Sequence, residues 1–398
     1  MSMLDEIIRR EIAERGILPF ARFMELALYC PNSGYYEAKK DNLGRRGDFY
    51  TSVSVGELFG QLLAFQFAEW LGELPRADCG PRIVEAGAHD GTLASDILNR
   101  LQSARPKLFG QLGYCIIEPS ARRQEWQKDT LKNFAPRVRW FADLQSLHRD
   151  ESCRRPLCDI IFSNEFLDAL PVHRFGWDAP NKKWFEWGVA VQGKRFVWAR
   201  SADDSSVGSP QSAGRFADKL SALRHLPLSL LEVLPDGYTV EICPAAANWW
   251  REAANLLEQG RLLTIDYGLT DDELFSPGRT HGTLRAFSRH HATDDVLANP
   301  GGQDVTAHVN FSAIQSAGEA CGLKTETFST QAQFLTRILD KASKEKDFGG
   351  LVASNRSEGG WGAKQARQFQ TLTHPDHLGR AFRVLVQTKQ GAPYKPNS

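Results

Sequence analysis

At 398 residues, with 42% apolar and 10% aromatic side chains, the chain has enough core-forming residues for one large α/β domain with insertions, or one domain plus a small companion. Its 48 basic and 48 acidic residues cancel, which removes a general electrostatic pull on DNA or RNA. No apolar run reaches the ~20 residues of a membrane span, and seven cysteines without a C-x-x-C pair argue against a disulfide framework or a zinc site and predict reduced thiols in a cytoplasmic protein.

The first residues mix acids into an apolar stripe of Leu4, Ile7, Ile8 and Ile12, the pattern of an amphipathic helix rather than of a signal or transit peptide. Residues 1–80 read as a mostly helical cap, with loops at 34–36 and 47–52 before a helix around 56–71. A sheet core is predicted over 81–172. Its first strand begins at Arg82 and ends in Glu85, passes through a turn containing Gly87 and Gly91, and enters a helix with Leu93, Ile97, Leu98 and Leu101 at helical spacing. Glycines there let backbone N–H groups approach a ligand at a helix N-terminus. A G-x-x-x-G of this kind serves tight helix–strand packing equally well.

The second strand, Tyr114 to Ile117, ends in Glu118, an acid suited to the paired hydroxyls of a ribose. A dinucleotide would put a pyrophosphate over the loop, where Asp90 repels it; a cationic cofactor such as S-adenosylmethionine tolerates that acid. After a third strand at 138–140, Asp143 and Leu144 could contact an adenine. The fourth strand is the plainest signal in the chain. Its apolar run at 160–162 stops abruptly at Asn164, Glu165 and Asp168, at the carboxyl end where open α/β sheets bind ligands. For Asp168 a helix N-cap is an equally good reading.

From 173 to 237 the texture becomes β-rich. Trp177, Trp184, Phe185, Trp187, Phe196 and Trp198 read as two or three antiparallel strands that either frame a substrate or pack on the body, and 201–214 reads as a linker. The remaining core is predicted over 238–390: a strand near 238–242, a helix from 245 to 260, a strand at 262–268 ending in Asp266 and Tyr267, and a last strand at 382–387 edging the sheet. Between them 269–309 shows little periodicity and reads as a functional loop. Residues 391–398 read as a disordered tail.

Several stretches together carry a resemblance: 29–36, 47–52, 56–60, the glycine loop at 85–91, 164–172, 241–245, 265–268, 282–286 and 299–311. In this order the chain resembles the MidA-like family of S-adenosylmethionine-dependent methyltransferases, which includes an arginine methyltransferase of mitochondrial complex I assembly. The resemblance implies a class I methyltransferase fold, Rossmann-like, with a seven-stranded mostly parallel sheet. It implies Thr51 and Ser52 at the cofactor mouth and His308 in the active-site motif. The expected cofactor site is therefore Thr51, Ser52, Glu85, Gly87, Gly91, Glu118, Asp143, Leu144 and Asn164. The expected catalytic set is Asn164, Glu165, Asp168 and His308, with an arginine guanidinium fitting the paired acids as a bidentate fork. The chain departs from the family at Ala88 and at His89, which stands where a glycine is usual and predicts crowding of the cofactor. It departs again at Ser54, Val55 and Asn310. A small-molecule O- or N-methyltransferase and a non-catalytic assembly factor are the rival readings, and a homodimer is left open.

Overall fold

Strand β2 (Arg82–Ala86) is buried along its whole length, which is why its sequence shows no polar alternation: both sheet faces are covered. The computed structural model describes residues 2–38, 51–74, 80–150, 157–201, 223, 226–288, 291–345 and 362–390. Around β2 lie β3 (Gly113–Ile117), β4 (Val138–Phe141), β5 (Leu157–Asn164), β10 (Leu257–Leu269), β15 (Lys324–Thr330) and β16 (Phe382–Lys389), in the order β15-β16-β10-β5-β2-β3-β4. The run from β4 to β10 is parallel, and β16 alone runs antiparallel to both of its neighbours. The short β14 (Val309–Asn310) adds to the end of β10. Seven strands in this order, six of one sense, agree with the class I methyltransferase expectation.

Successive strand residues feed opposite layers. Ile83, Tyr114 and Ile160 join the core beneath α5 (Leu58–Glu73), α6 (Thr92–Ala104) and the helix Gln331–Lys344. Their neighbours Val84, Cys115 and Ile161 join the core beneath the helices Pro244–Leu256 and Phe311–Ala320. At the amino ends of β2 and β5, Arg82 Nε donates to the Asp159 carboxylate at 3.1 and 3.3 Å, a buried pair far along the strands from the ligand-binding edge.

Helices α1 (Met3–Arg15) and α2 (Phe20–Tyr29) pack on a second sheet, ordered β1-β7-β6-β9 with β8 on β7, built from β1 (Leu18–Pro19), β6 (His173–Asp178), β7 (Lys183–Gln192), β8 (Arg195–Arg200) and β9 (Thr239–Ile242). The aromatic residues here serve packing: Phe20 meets Trp198 at 4.9 Å, Trp177 meets Trp184 at 5.1 Å and Phe185 meets Trp187 at 4.9 Å between ring centroids. Strand β9, expected in the core sheet, instead pairs with β6, so the insertion extends past 238. The helix expected over 245–260 ends at Leu256, because 257–260 already belongs to β10.

Two further expectations are corrected. Strand β16 does not edge the sheet; it lies between β10 and β15, and the edge strand β15, polar at every position but Phe328, carries too weak a pattern to be read. The segment 269–309 is not one loop but a small antiparallel sheet, β12-β11-β13, of β11 (Arg285–Ser288), β12 (His291–Thr293) and β13 (Asp304–Thr306). The expected linker beyond Ser201, the loop 47–50 and the tail from 391 lie outside the described residues.

Candidate active site

At the carboxyl ends of β2, β3, β4 and β5 a cavity of about 830 Å³ is lined by Thr51, Gly87, His89, Glu118, Asp143 and Leu144, among others. The volume falls in the range of small-molecule sites. Gly87 has φ of +76°, and a Cβ there would lie 2.9 Å from the Phe166 ring, so only glycine leaves this wall unstrained and open. Glu118 is buried at the cavity, and Ile117 and Leu144 supply apolar wall beside it. An acid at the second strand end, a glycine wall and apolar flanks fit an adenosyl group.

Other expected cofactor residues are placed elsewhere. Glu85 lies outside the cavity lining: it accepts a 2.7 Å hydrogen bond from Tyr114 Oη inside the core, and burial pushes its carboxyl up to about 7. Gly91, at φ +84°, starts α6 and packs beside Leu131 and Gln127, a structural turn rather than cavity wall. Ser52 is fully buried, its N–H donating to Glu165 Oε1 at 3.0 Å and its hydroxyl to Gln331 Oε1 at 3.0 Å, so it supports the site from behind. Thr51 caps α4 (Ser52–Val55) through a capping box with Ser54, which accounts for the serine at that position. Asp143 lines the cavity and also caps the helix Leu144–Arg149.

His89 takes the place of a glycine and lines the cofactor cavity. Its φ is +47°, the left-handed conformation a glycine would favour, and its carbonyl accepts from Gln127 Nε2 at 3.0 Å. Burial alone raises the neighbouring Asp90 carboxyl, yet His89 and Thr92 bring it down to about 2.

The segment after β5 carries the second half of the site. Glu165 has φ of +51°, a strained backbone at the strand end. Its Oε1 accepts from Ser52 N and from Asn164 Nδ2 at 3.1 Å, while Oε2 and Asn164 Oδ1 are buried without a hydrogen-bond partner. Burial pushes Glu165 up to about 8. No helix follows Asp168, so the N-cap reading falls; its backbone carbonyl accepts from Ala307 N and its side chain is buried. Burial, then the charges of Asp266, Asp304 and Glu165, hold the Asp168 carboxyl well above its usual range.

Asp266 and Asp304 complete a cluster of acids that sequence patterning did not bring together. Asp266 accepts from the N–H groups of Phe166, Leu167 and Tyr267 at 2.8 to 3.1 Å, fixing the turn that presents Glu165 and Asp168; burial outweighs these donors and puts it at about 7. Asp304 Oδ1 accepts from Tyr36 Oη at 2.8 Å. The advance signals were that both lie in the resembling stretches and that Asp266 stands near the end of an apolar strand.

A second chamber of about 620 Å³ opens on the other side of Asp168, lined also by Tyr267, Thr283, Arg285, His308 and His377. Asp168 lines both cavities. His308 N donates to Thr283 Oγ1 at 3.1 Å, and its buried Nδ1 has no partner. Burial, with Arg279 and Arg285 nearby, drops its imidazole to about 4. His308 therefore belongs to this chamber and is neutral at physiological pH. Asn310 is an N-cap for the helix Phe311–Ala320, accepting from Ala313 N at 2.9 Å, which gives its side chain a structural task away from the chemistry.

Comparison with known proteins agrees with this geometry. Residues 62–329 match the family described as "Putative S-adenosyl-L-methionine-dependent methyltransferase". A solved structure from Burkholderia thailandensis, described as a "likely methyl transferase" bound to S-adenosyl-homocysteine, is 31% identical with a TM-score of 0.75, covering 98% of this chain and 93% of that one. The Mus musculus protein named "Protein arginine methyltransferase NDUFAF7, mitochondrial" is 29% identical over 94% of this chain and 82% of its own length. Its Homo sapiens counterpart of the same name is 27% identical over 98% of this chain and 85% of its own. The mitochondrial names of these relatives overturn the expected cytoplasmic location. That expectation rested on reduced cysteines and on the amino-terminal pattern, and thiol chemistry does not separate one reducing compartment from another. The family match, spanning most of the chain, and the relative with its adenosyl ligand make the conclusion direct: this chain belongs to the S-adenosyl-L-methionine-dependent methyltransferases, with S-adenosyl-L-methionine as its cofactor.

Proposed function

We propose that the protein methylates an arginine side chain of a protein acceptor, the cofactor lying in the cavity of Gly87 and Glu118 and the acceptor reaching Asp168 through the chamber of His308. The observation that carries this reading is that the two cavities share Asp168 as wall. Bound in the first cavity, S-adenosylmethionine supplies an electrophilic methyl group on a sulfonium.

This chain's own residues do the rest. The donors to Glu165 and Asp266 are backbone N–H groups and one amide, not cations. Among the described residues these two acids have no cationic donor, and a guanidinium would supply one with five donors in a planar fork. Glu165 Oε2 and Asn164 Oδ1, buried without partners, suit two of those donors. A carboxyl at about 8 takes up a proton readily, so Glu165 accepts the proton that the guanidino nitrogen must lose as its bond to the methyl carbon forms. His308, neutral, is suited to orienting the acceptor by a hydrogen bond. The names of the relatives point to the same acceptor chemistry.

The test is mass spectrometry of a lysate incubated with the protein and methyl-labelled cofactor. Label on arginine in a protein is the expected result; label only on a small molecule, or on another side chain, overturns the arginine reading.

A further inference from the structure

Glu118 is read above as the acid that would take the ribose hydroxyls, yet its carboxylate is already engaged. Arg123, on the helix Ala121–Thr130, donates from Nε to Oε2 at 2.9 Å and from Nη2 to Oε1 at 2.7 Å, a side-on fork across both oxygens. Ser120 N donates to Oε1 at 2.9 Å and Gln127 Nε2 to Oε2 at 3.3 Å. A carboxylate offers about four lone-pair sites. All four are in use, and the guanidinium spans the same pair of oxygens that two ribose hydroxyls would need.

The guanidinium also has another acid in reach. Its Nη1 donates to Glu37 Oε1 at 2.9 Å, and Glu37 Oε2 accepts from Ser120 Oγ at 3.0 Å. Glu37 sits on α3 (Tyr35–Ala38) of the amino-terminal cap, beside Tyr36, which holds Asp304 on the acceptor side. Arg123, Glu118, Glu37 and Ser120 all line the cofactor cavity.

We propose that Arg123 competes with the cofactor ribose for Glu118 and so sets cofactor affinity, the guanidinium turning toward Glu37 when the two hydroxyls bind. This rests on the reading of Glu118 as the ribose acid. Arg123 is then a positioning residue whose two partners come from the core sheet and from the cap. Sequence reasoning did not single it out: Arg123 stands in a polar helix, and no local pattern ties it to the strand-end Glu118 or to Glu37 of the cap.

Calorimetry with S-adenosylhomocysteine and its 2′,3′-dideoxy analogue tests the proposal. Wild type should prefer the hydroxylated ligand. Arg123→Leu should tighten S-adenosylhomocysteine about tenfold, the scale of one charged hydrogen bond regained, and leave the dideoxy affinity unchanged. Glu37→Gln, which weakens the guanidinium's alternative partner, should loosen S-adenosylhomocysteine and again spare the analogue. Should the leucine variant fold poorly by its melting temperature, the Glu37→Gln ratio decides alone. Equal or weaker binding of S-adenosylhomocysteine by a folded Arg123→Leu overturns the competition, as does a Glu37→Gln variant with unchanged preference. Wild type binding both ligands equally overturns the ribose reading itself, a failure distinguishable from the other two.

Discussion

The two cavities on either side of Asp168 are built in opposite ways. The cofactor cavity takes its glycine turn and its prominent acid, Glu118, from consecutive strand–turn–helix units between residues 82 and 144, the cap and the turn after β5 closing it, and Glu118 is paired with Arg123. The acid cluster at the junction of the two cavities gathers the Ser52 backbone, Glu165, Asp168, Asp266 and Asp304 from segments scattered over more than half the chain, with His308 in the chamber beyond, and among the described residues Glu165 and Asp266 take their hydrogen bonds from backbone N–H groups and an amide rather than from an arginine. Burying like charges together without a counter-ion is costly, and such arrangements gather at functional sites. The contrast separates a wall made to hold a ligand from a wall kept ready for a cation.

The strongest test of that contrast is Glu165→Gln. It should cut turnover about 10²–10⁴-fold while S-adenosylhomocysteine affinity and melting temperature stay near wild type, because glutamine keeps the size of this side chain in the cavity wall and removes only the proton acceptor. Single-turnover kinetics beside calorimetry would read both; unchanged turnover places the chemistry elsewhere.

Gly87→Val strikes the other cavity. A branched side chain at φ +76°, with Cβ 2.9 Å from the Phe166 ring, should weaken S-adenosylhomocysteine at least about tenfold and lower stability by more than the roughly 1–2 kcal/mol of a left-handed L-residue. Equal affinity in calorimetry would remove Gly87 from the cofactor wall.

The pH dependence should carry the signature of the acceptor side. If ionised Glu165 is required, kcat/KM should climb about tenfold per pH unit up to about 8 and then level. Stability should run the other way. Glu85, Asp266 and Glu165 have folded values of about 7 to 8, above their unfolded ones, so the folded state binds more protons, and the stability they contribute at low pH is lost as pH rises through 7 to 8. His308, lowered to about 4, acts in the opposite sense but only below about 6.5. Melting temperatures of the ligand-free protein should therefore fall between pH 6.5 and 8, and a rise across that window contradicts the charge cluster.

Asp168→Asn should raise the melting temperature at pH 8 by relieving repulsion among buried acids, since no helix depends on it as a cap, and should slow turnover. A drop in stability at that pH would mean the carboxylate is held by partners in solution. The smallest effect is expected for His89→Gly, which relieves a left-handed backbone by up to about 1–2 kcal/mol and should leave cofactor affinity within a few-fold. A large gain in affinity would show that the His89 side chain crowds the cofactor.

The same division governs what the sequence disclosed. Strand β2, its glycine turn and Glu118 lie within one local unit, so the acid at the second strand end could be read together with the turn as a nucleotide-type site. Glu165 and Asp168 were visible because an apolar run stopped at them. Asp266 and Asp304 were not joined to them because their meeting depends on β10 lying beside β5 and on β13 folding back over 168, and no local pattern encodes either contact. Glu85 misled for the complementary reason: an acid at a strand end reads as a ligand contact, while Tyr114, one strand over, takes its proton-acceptor face.

The inward position of β16 has a consequence for how the chain is made. Its eight residues pair with β10 from Gly260 against Lys389 to Tyr267 against Phe382, and it also supplies the whole hydrogen-bonding partner of β15. A ribosome delivers these residues after both β10 and β15. Until they emerge, β10 presents an open, apolar edge and β15 has nowhere to dock, so most of the polypeptide must wait with an unprotected sheet margin of the kind that invites pairing with another chain. Nascent chains stalled before residue 382 should accordingly bind chaperones and resist native compaction, and emergence of β16 should allow the sheet to close.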